Sequence, residues 1–361
     1  MSACRQTLWE GVCFLEREAD ATHPIGLPLE LNERDIDWSE AISATRRGIP
    51  PHTVIKAYAA VVVSLLLWCA LSVVHQFWGQ WLFFLFPVLL CVIAAILTAG
   101  TQTAYFLQVR RVPISLVPAG ESPKNKISIA LVSDLHLGRL KGREWLTHLV
   151  QVVNREKPDL ILLAGDFVYK ADPERLGHTL WPIKDLQARR GVYAVFGNHD
   201  YGVPHGEDYS SLLTRLLPQY GVDVLNNEAV RLEEGLYLLG LDDLWTERSN
   251  WTKACADLPL ESQWIICAHN PETVVRMNPE GPLEGNGTCP ANRRRPPLWL
   301  CGHTHGGQVI PPWLRRISHL FDRGLYQEQG GKVFVTQGAG EVGASLRLTS
   351  QSEVALLEVT I

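Results

Sequence analysis

Residues 57–109 contain no Asp, Glu, Lys or Arg, a run of 53 positions in a chain of 361. A surface facing water over that length carries charge, so the run reads as membrane. Residues 57–74 and 82–99 are apolar runs of 18, at the lower end of the ~17 to 25 residues that span a bilayer as helix. The connector His75-Gln-Phe-Trp-Gly-Gln-Trp81 suits a tight hairpin, with Phe77, Trp78 and Trp81 at headgroup depth. Pro87 would bend the second helix, which lipid-embedded helices tolerate. Arg46, Arg47 and Lys56 precede the first run and Arg110 and Arg111 follow the second, which predicts both outer ends on the cytoplasmic side. A buried helical hairpin is the alternative to spanning. A twin-arginine export leader at Thr45-Arg-Arg47 is disfavoured, because Pro50 and Pro51 stand where such a leader is apolar.

Four parts follow: an N-terminal cytoplasmic tail (1–52), a transmembrane hairpin (53–109), a linker or edge strand (110–126) and one α/β domain (127–361). In the tail, Asp37-Trp-Ser-Glu40 has the form of a capping box opening a short helix that Gly48, Pro50 and Pro51 would end. The linker opens on Val112-Pro-Ile-Ser-Leu-Val117, a candidate edge strand. Apolar runs at 127–133, 159–164, 192–196, 236–241, 264–268, 298–301, 332–336 and 354–359 predict buried strands. Residues 141–157 have helical spacing, with Trp145, Leu146, Leu149, Val150 and Val153 on one face, and 208–220 are similar. This order predicts an α/β sandwich of two sheets flanked by helices. A net charge of -5 excludes a basic protein that coats nucleic acid. The eight cysteines form no CxxC pair, so reduced thiols are expected and a thiolate zinc site is not.

The chemistry stands at the strand ends. In order they deliver Asp134-Leu-His136, Gly165-Asp166, Gly197-Asn-His-Asp200, Ala268-His-Asn270 and Gly302-His-Thr-His305. Each motif alone is weak, but five of them directly after apolar strands sit where α/β sheets assemble their sites. In an extended chain residues i and i+2 point the same way, so Asp134 with His136, and His303 with His305, are expected to converge. Carboxylate, imidazole and amide oxygen without thiolate suit Mn, Fe or Zn, with Mn favoured here. Two carboxylates against two divalent ions leave net positive charge, which attracts phosphate and lowers the pKa of bound water toward ~7.

As a set, DLH (134–136), GD (165–166), GNHD (197–200), the isolated His269 and GHTH (302–305) resemble the calcineurin-like metallophosphoesterases. The resemblance implies a two-sheet sandwich with a dinuclear metal site. It places Asp134, His136 and His305 on the first metal, Asn198, His269 and His303 on the second, and Asp166 on both. It makes His199 the group that contacts phosphate and protonates the leaving oxygen, with no phosphoenzyme. Serine/threonine phosphatases of the same superfamily continue GD with Asp-Arg-Gly, where this chain reads Gly165-Asp-Phe-Val-Tyr-Lys-Ala171, which argues against protein phosphatase activity. Gly302-His-Thr-His-Gly-Gly-Gln308, followed by Val309, Ile310 and Pro311, is similar to a membrane-associated bacterial branch that includes UDP-2,3-diacylglucosamine pyrophosphatases. That branch has Pro-Glu before its last strand, where this chain has Ser352-Glu353.

Other features have two readings. Asp200 either orients His199 or caps a turn. Cys301 reads as a small core residue. Arg293, Arg294 and Arg295 lie in a Pro/Gly/Asn-rich loop (279–297) as a solvated run or as an anion contact. Gly338-Ala-Gly340-Glu-Val-Gly343 matches a dinucleotide-binding pattern, but too little chain remains for a βαβ unit, so a turn near the site is expected. The sequons at Asn250 and Asn286 are compatible with export. The expected function is hydrolysis of a phosphodiester or pyrophosphate bond in an amphipathic substrate, on the cytoplasmic face of a bacterial inner membrane. The partners are then the lipid bilayer and that substrate, with no nucleic acid. A non-catalytic scaffold would be expected to lack ligands, and all eight site positions are filled here.

Overall fold

The computed structural model describes residues 60–69, 72, 80–117, 122–123, 125–256, 258–259, 261–276, 296–311, 314, 321–328 and 331–361. The tail with its capping box, Arg46, Arg47, Lys56, connector residues 75–79, Asn286 and the arginines at 293–295 lie outside the described residues. In chain order the strands are β1 (Gln108–Ser115), β2 (Lys126–Val132), β3 (Leu137–Gly138), β4 (Leu160–Ala164), β5 (Val168–Tyr169), β6 (Val192–Val195) and β7 (Asp223–Val224). They continue as β8 (Glu228–Glu233), β9 (Leu236–Gly240), β10 (Gln263–Cys267), β11 (Leu298–Cys301), β12 (Gly324–Glu328), β13 (Gly331–Val335) and β14 (Glu353–Thr360). The helices used below are α1 (Ala60–Cys69), followed by α2 (Gln80–Tyr105), α3 (Arg143–Arg155), α4 (Pro173–Leu180) and α5 (Ser210–Gln219).

Two six-stranded sheets carry the fold, in the orders β1-β14-β2-β4-β6-β7 and β12-β13-β11-β10-β9-β8. The runs β2-β4-β6 and β9-β10-β11 are parallel, so their carboxyl ends gather on one edge. Alternation along each strand builds three apolar layers. Ile129, Leu131, Leu160, Leu162, Ile265, Leu298, Leu300, Ala355 and Leu357 meet between the sheets. On the outer face of the first sheet, Ala130, Val132, Ile161 and Leu163 pack on Trp145, Leu146, Leu149 and Val153 of α3 and on Leu213 and Leu217 of α5. On the outer face of the second sheet, Trp264, Ile266, Trp299 and Cys301 pack with Trp251. Burial on both faces is why these strands read as unbroken apolar runs. Cys301 is thus a core residue of β11.

The expected edge strand begins earlier than the linker reading placed it, at Gln108, and pairs in parallel with β14 through Ser115. Its edge position tolerates Pro113, which has no N–H to give, while Val112 and Ile114 turn inward. Among the described residues one helix is long and apolar enough to cross a membrane, the stretch Leu85–Tyr105 of α2, and α1 is a shorter apolar helix. Pro87 lies inside α2. No residue from 85 to 99 is buried, which is not the surface of a core helix.

Candidate metal centre

The loops that follow β2 and β4 are tied to each other by backbone. Asp134 N–H donates to Gly165 O at 2.9 Å, and His136 N–H donates to Asp166 O at 3.0 Å. Asp200 completes the clamp from below. Its carboxylate accepts from the backbone N–H groups of Asp166 (3.0 Å), Phe167 (2.8 Å), Val168 (3.3 Å) and Gly197 (3.0 Å). Those four bonds are of the turn-capping kind, and none of them reaches the His199 side chain. A buried carboxylate takes the donors nearest it, and here they are the amides of the two site loops.

Asp134 and His136 converge as expected, whereas His303 and His305 fall in separate ligand groups, and the chain is not extended there. Asp134 (φ 56°), His136 (φ 43°), Asp166 (φ 56°), His303 (φ 72°) and His305 (φ 52°) all occupy the left-handed region. Each such residue costs about 1 kcal/mol or more, a strain that persists where the surroundings over-determine it. Glycines make that packing possible. A Cβ at Gly197 would fall 2.2 Å from Asp166 Oδ1, and one at Gly338 (φ +73°) would fall 2.8 Å from Asp134 Oδ2. A Cβ at Gly340 would lie 2.3 Å from Leu135 O. The Gly338-Ala-Gly340 stretch is therefore a turn pressed against the site, and it opens no helix.

Two groups of ligand-type atoms result, Asp134 with His136 and His305, and Asp166 with His269 and His303, each drawn within 4.8 Å. In the first, His136 Nε2 lies 3.0 Å from His305 Nε2, and Asp134 Oδ1 lies 3.4 Å from His305 Nε2. In the second, His303 Nδ1 lies 3.2 Å from His269 Nε2. Asp166 Oδ2 stands between them, 3.5 Å from His136 Nε2 and 3.2 Å from His269 Nε2. Asn198 donates through Nδ2 to Val203 O at 2.8 Å, which leaves its Oδ1 buried with no partner. Imidazole nitrogens facing one another, and a buried amide oxygen with nothing to accept from, are what a cation would satisfy. The donor set, with no sulfur, fits divalent ions of the Mn, Fe or Zn kind.

Electrostatics follow the same division. Burial pushes His136 well below its usual range and His305 down to about 3, so both stay neutral, as ligands must. Burial also opposes charge on His269, but Asp166 outweighs it and raises the imidazole to about 10. Burial pushes Asp134 up to about 6, against the pull of His269. Asp166 resists its own burial through His269, His199 and His136 and stays well below the carboxylate range. His269 Nδ1 is held by Ala164 O at 2.8 Å, which aims Nε2 at Asp166.

His199 sits at the mouth, partly exposed, with its N–H on Asp166 Oδ1 at 3.0 Å. Its ring meets those of His136 and Tyr169 edge-on, at centroid separations of 5.1 and 5.3 Å. One strand-end group was missed in sequence. Leu241-Asp242-Asp243 follows β9 just as the other five follow their strands, and placement alone could have found it. Asp243 is buried, accepts from Thr246 N–H at 2.8 Å and is raised to about 6, by burial foremost. Trp245 beside it lies 4.4 Å, centroid to centroid, from the ring of His303. Lys141, Glu341 and Arg347, all buried, were also missed, since isolated charges carry no pattern.

Residues 127–307 match the family model described as calcineurin-like phosphoesterase. An uncharacterised metallophosphoesterase of Helicobacter pylori is 29% identical over 242 residues, covering 65% of this chain and 60% of that protein. A transmembrane protein with metallophosphoesterase domain from Danio rerio is 30% identical over 257 residues, covering 66% and 54%. The uncharacterised metallophosphoesterase YkoQ of Bacillus subtilis is 30% identical over 253 residues, covering 66% and 86%. The chain thus spans only 60% and 54% of the lengths of the first two.

Proposed function

The chain belongs to the calcineurin-like phosphoesterases, and on that premise we propose that it is a membrane-anchored, metal-dependent hydrolase cleaving a phosphodiester or pyrophosphate bond in an amphipathic substrate. The observation that carries this reading is Asp166 Oδ2, within 3.5 Å of His136 and 3.2 Å of His269, where the two ligand groups meet. Asp134, His136 and His305 would hold one ion, Asn198, His269 and His303 the other, and Asp166 both. When bound, two divalent ions, Mn by preference, supply charge that polarises phosphate oxygens and lowers the pKa of coordinated water.

The chain's own residues do the rest. The strained turns at Asp134, His136, Asp166, His303 and His305 fix the donors before substrate arrives, so little reorganisation is left to the reaction. His199, anchored through its backbone to Asp166, presents an imidazole at the mouth to contact phosphate and pass a ring proton to the leaving oxygen. Its ring packs edge-on against those of Tyr169 and His136.

The anchor is the hairpin of residues 53–109, supported by the apolar helix Leu85–Tyr105. Positive flanks at both outer ends put the catalytic part on the cytoplasmic face, in a bacterial inner membrane. The bilayer and the amphipathic substrate are the partners of that arrangement. UDP-2,3-diacylglucosamine, a lipid A precursor, is the first substrate to test. Detergent-solubilised protein with Mn is assayed on that lipid beside an aryl phosphodiester, with Asp166→Asn as the blank. Release of UMP from the lipid supports the lipid A assignment. Activity on the aryl ester alone keeps the phosphoesterase and removes that substrate, while activity on neither overturns the hydrolase.

A further inference from the structure

The end of α2 is fastened to the same loops that shape the metal centre. The last carbonyls of a helix lack intrahelical donors, and here the protein supplies them from the site side. Ala104 O accepts from the buried Lys141 Nζ at 2.8 Å, and Lys141 pairs with Glu341 at 3.1 Å. Thr103 O takes the N–H of Ser352 at 3.4 Å, Thr103 Oγ1 donates to Arg347 O, and one turn earlier Gly100 O accepts the Arg347 N–H at 2.9 Å. Arg347 then reaches into the site. Its guanidinium donates to His305 O at 3.2 Å, Gly338 O at 3.1 Å and Gly340 O at 2.5 Å. One residue therefore holds the helix by its backbone and the centre by its side chain.

This fixes the depth of the site relative to the apolar helix. Residues 85–99 are unburied and Gly100 is the first buried position after them, packed so closely that a Cβ there would fall 2.4 Å from Leu346 and 2.6 Å from Leu348. The change from exposed to buried along α2 thus falls at the level of Leu346 and Leu348. At that level Leu348 is 44% exposed and Val309 is 43% exposed. They belong to neighbouring turns, since Gln308 O accepts from both Leu348 N–H (2.9 Å) and Thr349 N–H (3.1 Å). Single exposed apolar residues mean little. These two continue an exposed apolar helix and lie four and one residues from His305 and Arg347.

We infer that the turns at 308–311 and 346–349 form an apolar collar seated in the membrane interface, so that the metal centre opens at headgroup depth and takes its phosphoester from a lipid still in the bilayer. The occupant of the collar is the bilayer, not a second chain. The inference rests on the membrane-anchored reading of α2, and the test separates the two.

An environment-sensitive fluorescent amino acid is placed by codon suppression at 348, at 309, at 92 on the exposed face of α2, or at 234. Glu234 is exposed and precedes β9 at the end of the sheet away from the site. Each full-length chain, checked for bound Mn, is reconstituted in phosphatidylcholine nanodiscs with and without bromine on the upper acyl chain. The collar predicts at least twofold quenching by bromolipid at 348 and 309, as at 92, and none at 234. Quenching at 92 without quenching at 348 and 309 overturns the collar and leaves the anchor standing. No quenching at 92 removes the anchor and the collar with it. Emission at 348 that shifts with the number of chains per disc and not with bromolipid assigns the surface to a second copy and also overturns the inference.

Discussion

Gly338 has no room for a methyl group, because its Cβ would sit 2.8 Å from the carboxylate of Asp134 at a φ of +73°. Gly338→Ala is therefore expected to displace Asp134 and weaken metal binding about tenfold or more. Its activity should recover in excess Mn, and a metal titration of activity checks this. His199→Ala separates two roles. If the imidazole only serves the leaving group, kcat falls by ~10² to 10⁴ and metal content is unchanged, whereas loss of metal would make His199 a ligand. A third prediction concerns protons. His269 is raised to about 10 by Asp166 against its burial, so the metal-free protein carries an imidazolium there at neutral pH. A ligand must be neutral, so Mn uptake should expel a proton, and affinity should rise with pH from 7 toward 10. Calorimetry in two buffers of different ionisation enthalpy reads that proton, and identical heats would contradict it. The donor residues themselves were legible in sequence, because carboxylates and imidazoles right after apolar strands stand out. Their left-handed backbone was not, since φ is set by the tertiary clamp of Asp200 and the glycines and leaves no mark on residue type.

At the scale of elements, β2, β4, β6, β9, β10, β11, β13 and β14 were readable because burial makes them continuous apolar runs, and α3 and α5 because one face alone is apolar, whereas the edge strands β8 and β12 were not read. The two-residue strands β3, β5 and β7 were not, being too short for any period. The start of β1 at Gln108 was also hidden, since Arg110 and Arg111 break the apolar pattern of a strand that needs only Val112 and Ile114 inward. The turn between β13 and β14 shows the same limit. Its glycines match a nucleotide-binding pattern that the short remaining chain already rules out in favour of a turn, but that Arg347 holds this turn was not legible. That guanidinium is fully buried and serves the carbonyls of His305, Gln337, Gly338, Gly340 and Gln351. Arg347→Met strands those acceptors and leaves Glu341 without one of its counter-charges. We expect a loss of about 3 to 5 kcal/mol in stability, together with weaker Mn binding. Arg347→Lys should restore part of both. Thermal unfolding at fixed Mn measures the first, and a variant as stable as the parent would contradict the account.

For the whole molecule, the charge-free run separated an apolar segment from an α/β part without any structural knowledge, because an ordinary globular domain carries charge over such a length. How the two parts join was not legible. The bonds from Lys141, Arg347 and Ser352 to the end of α2 link residues far apart in sequence, and nothing local announces them. The central claim is that two divalent ions, gathered around Asp166, make this chain a phosphoesterase. The most direct measurement strips the full-length protein with chelator and titrates Mn back while following hydrolysis of an aryl phosphodiester and counting bound ions. The account predicts no turnover in the stripped protein, full activity at two ions per chain, and none at any loading in Asp166→Asn. Turnover that survives stripping, or that saturates with a single ion bound, would contradict it.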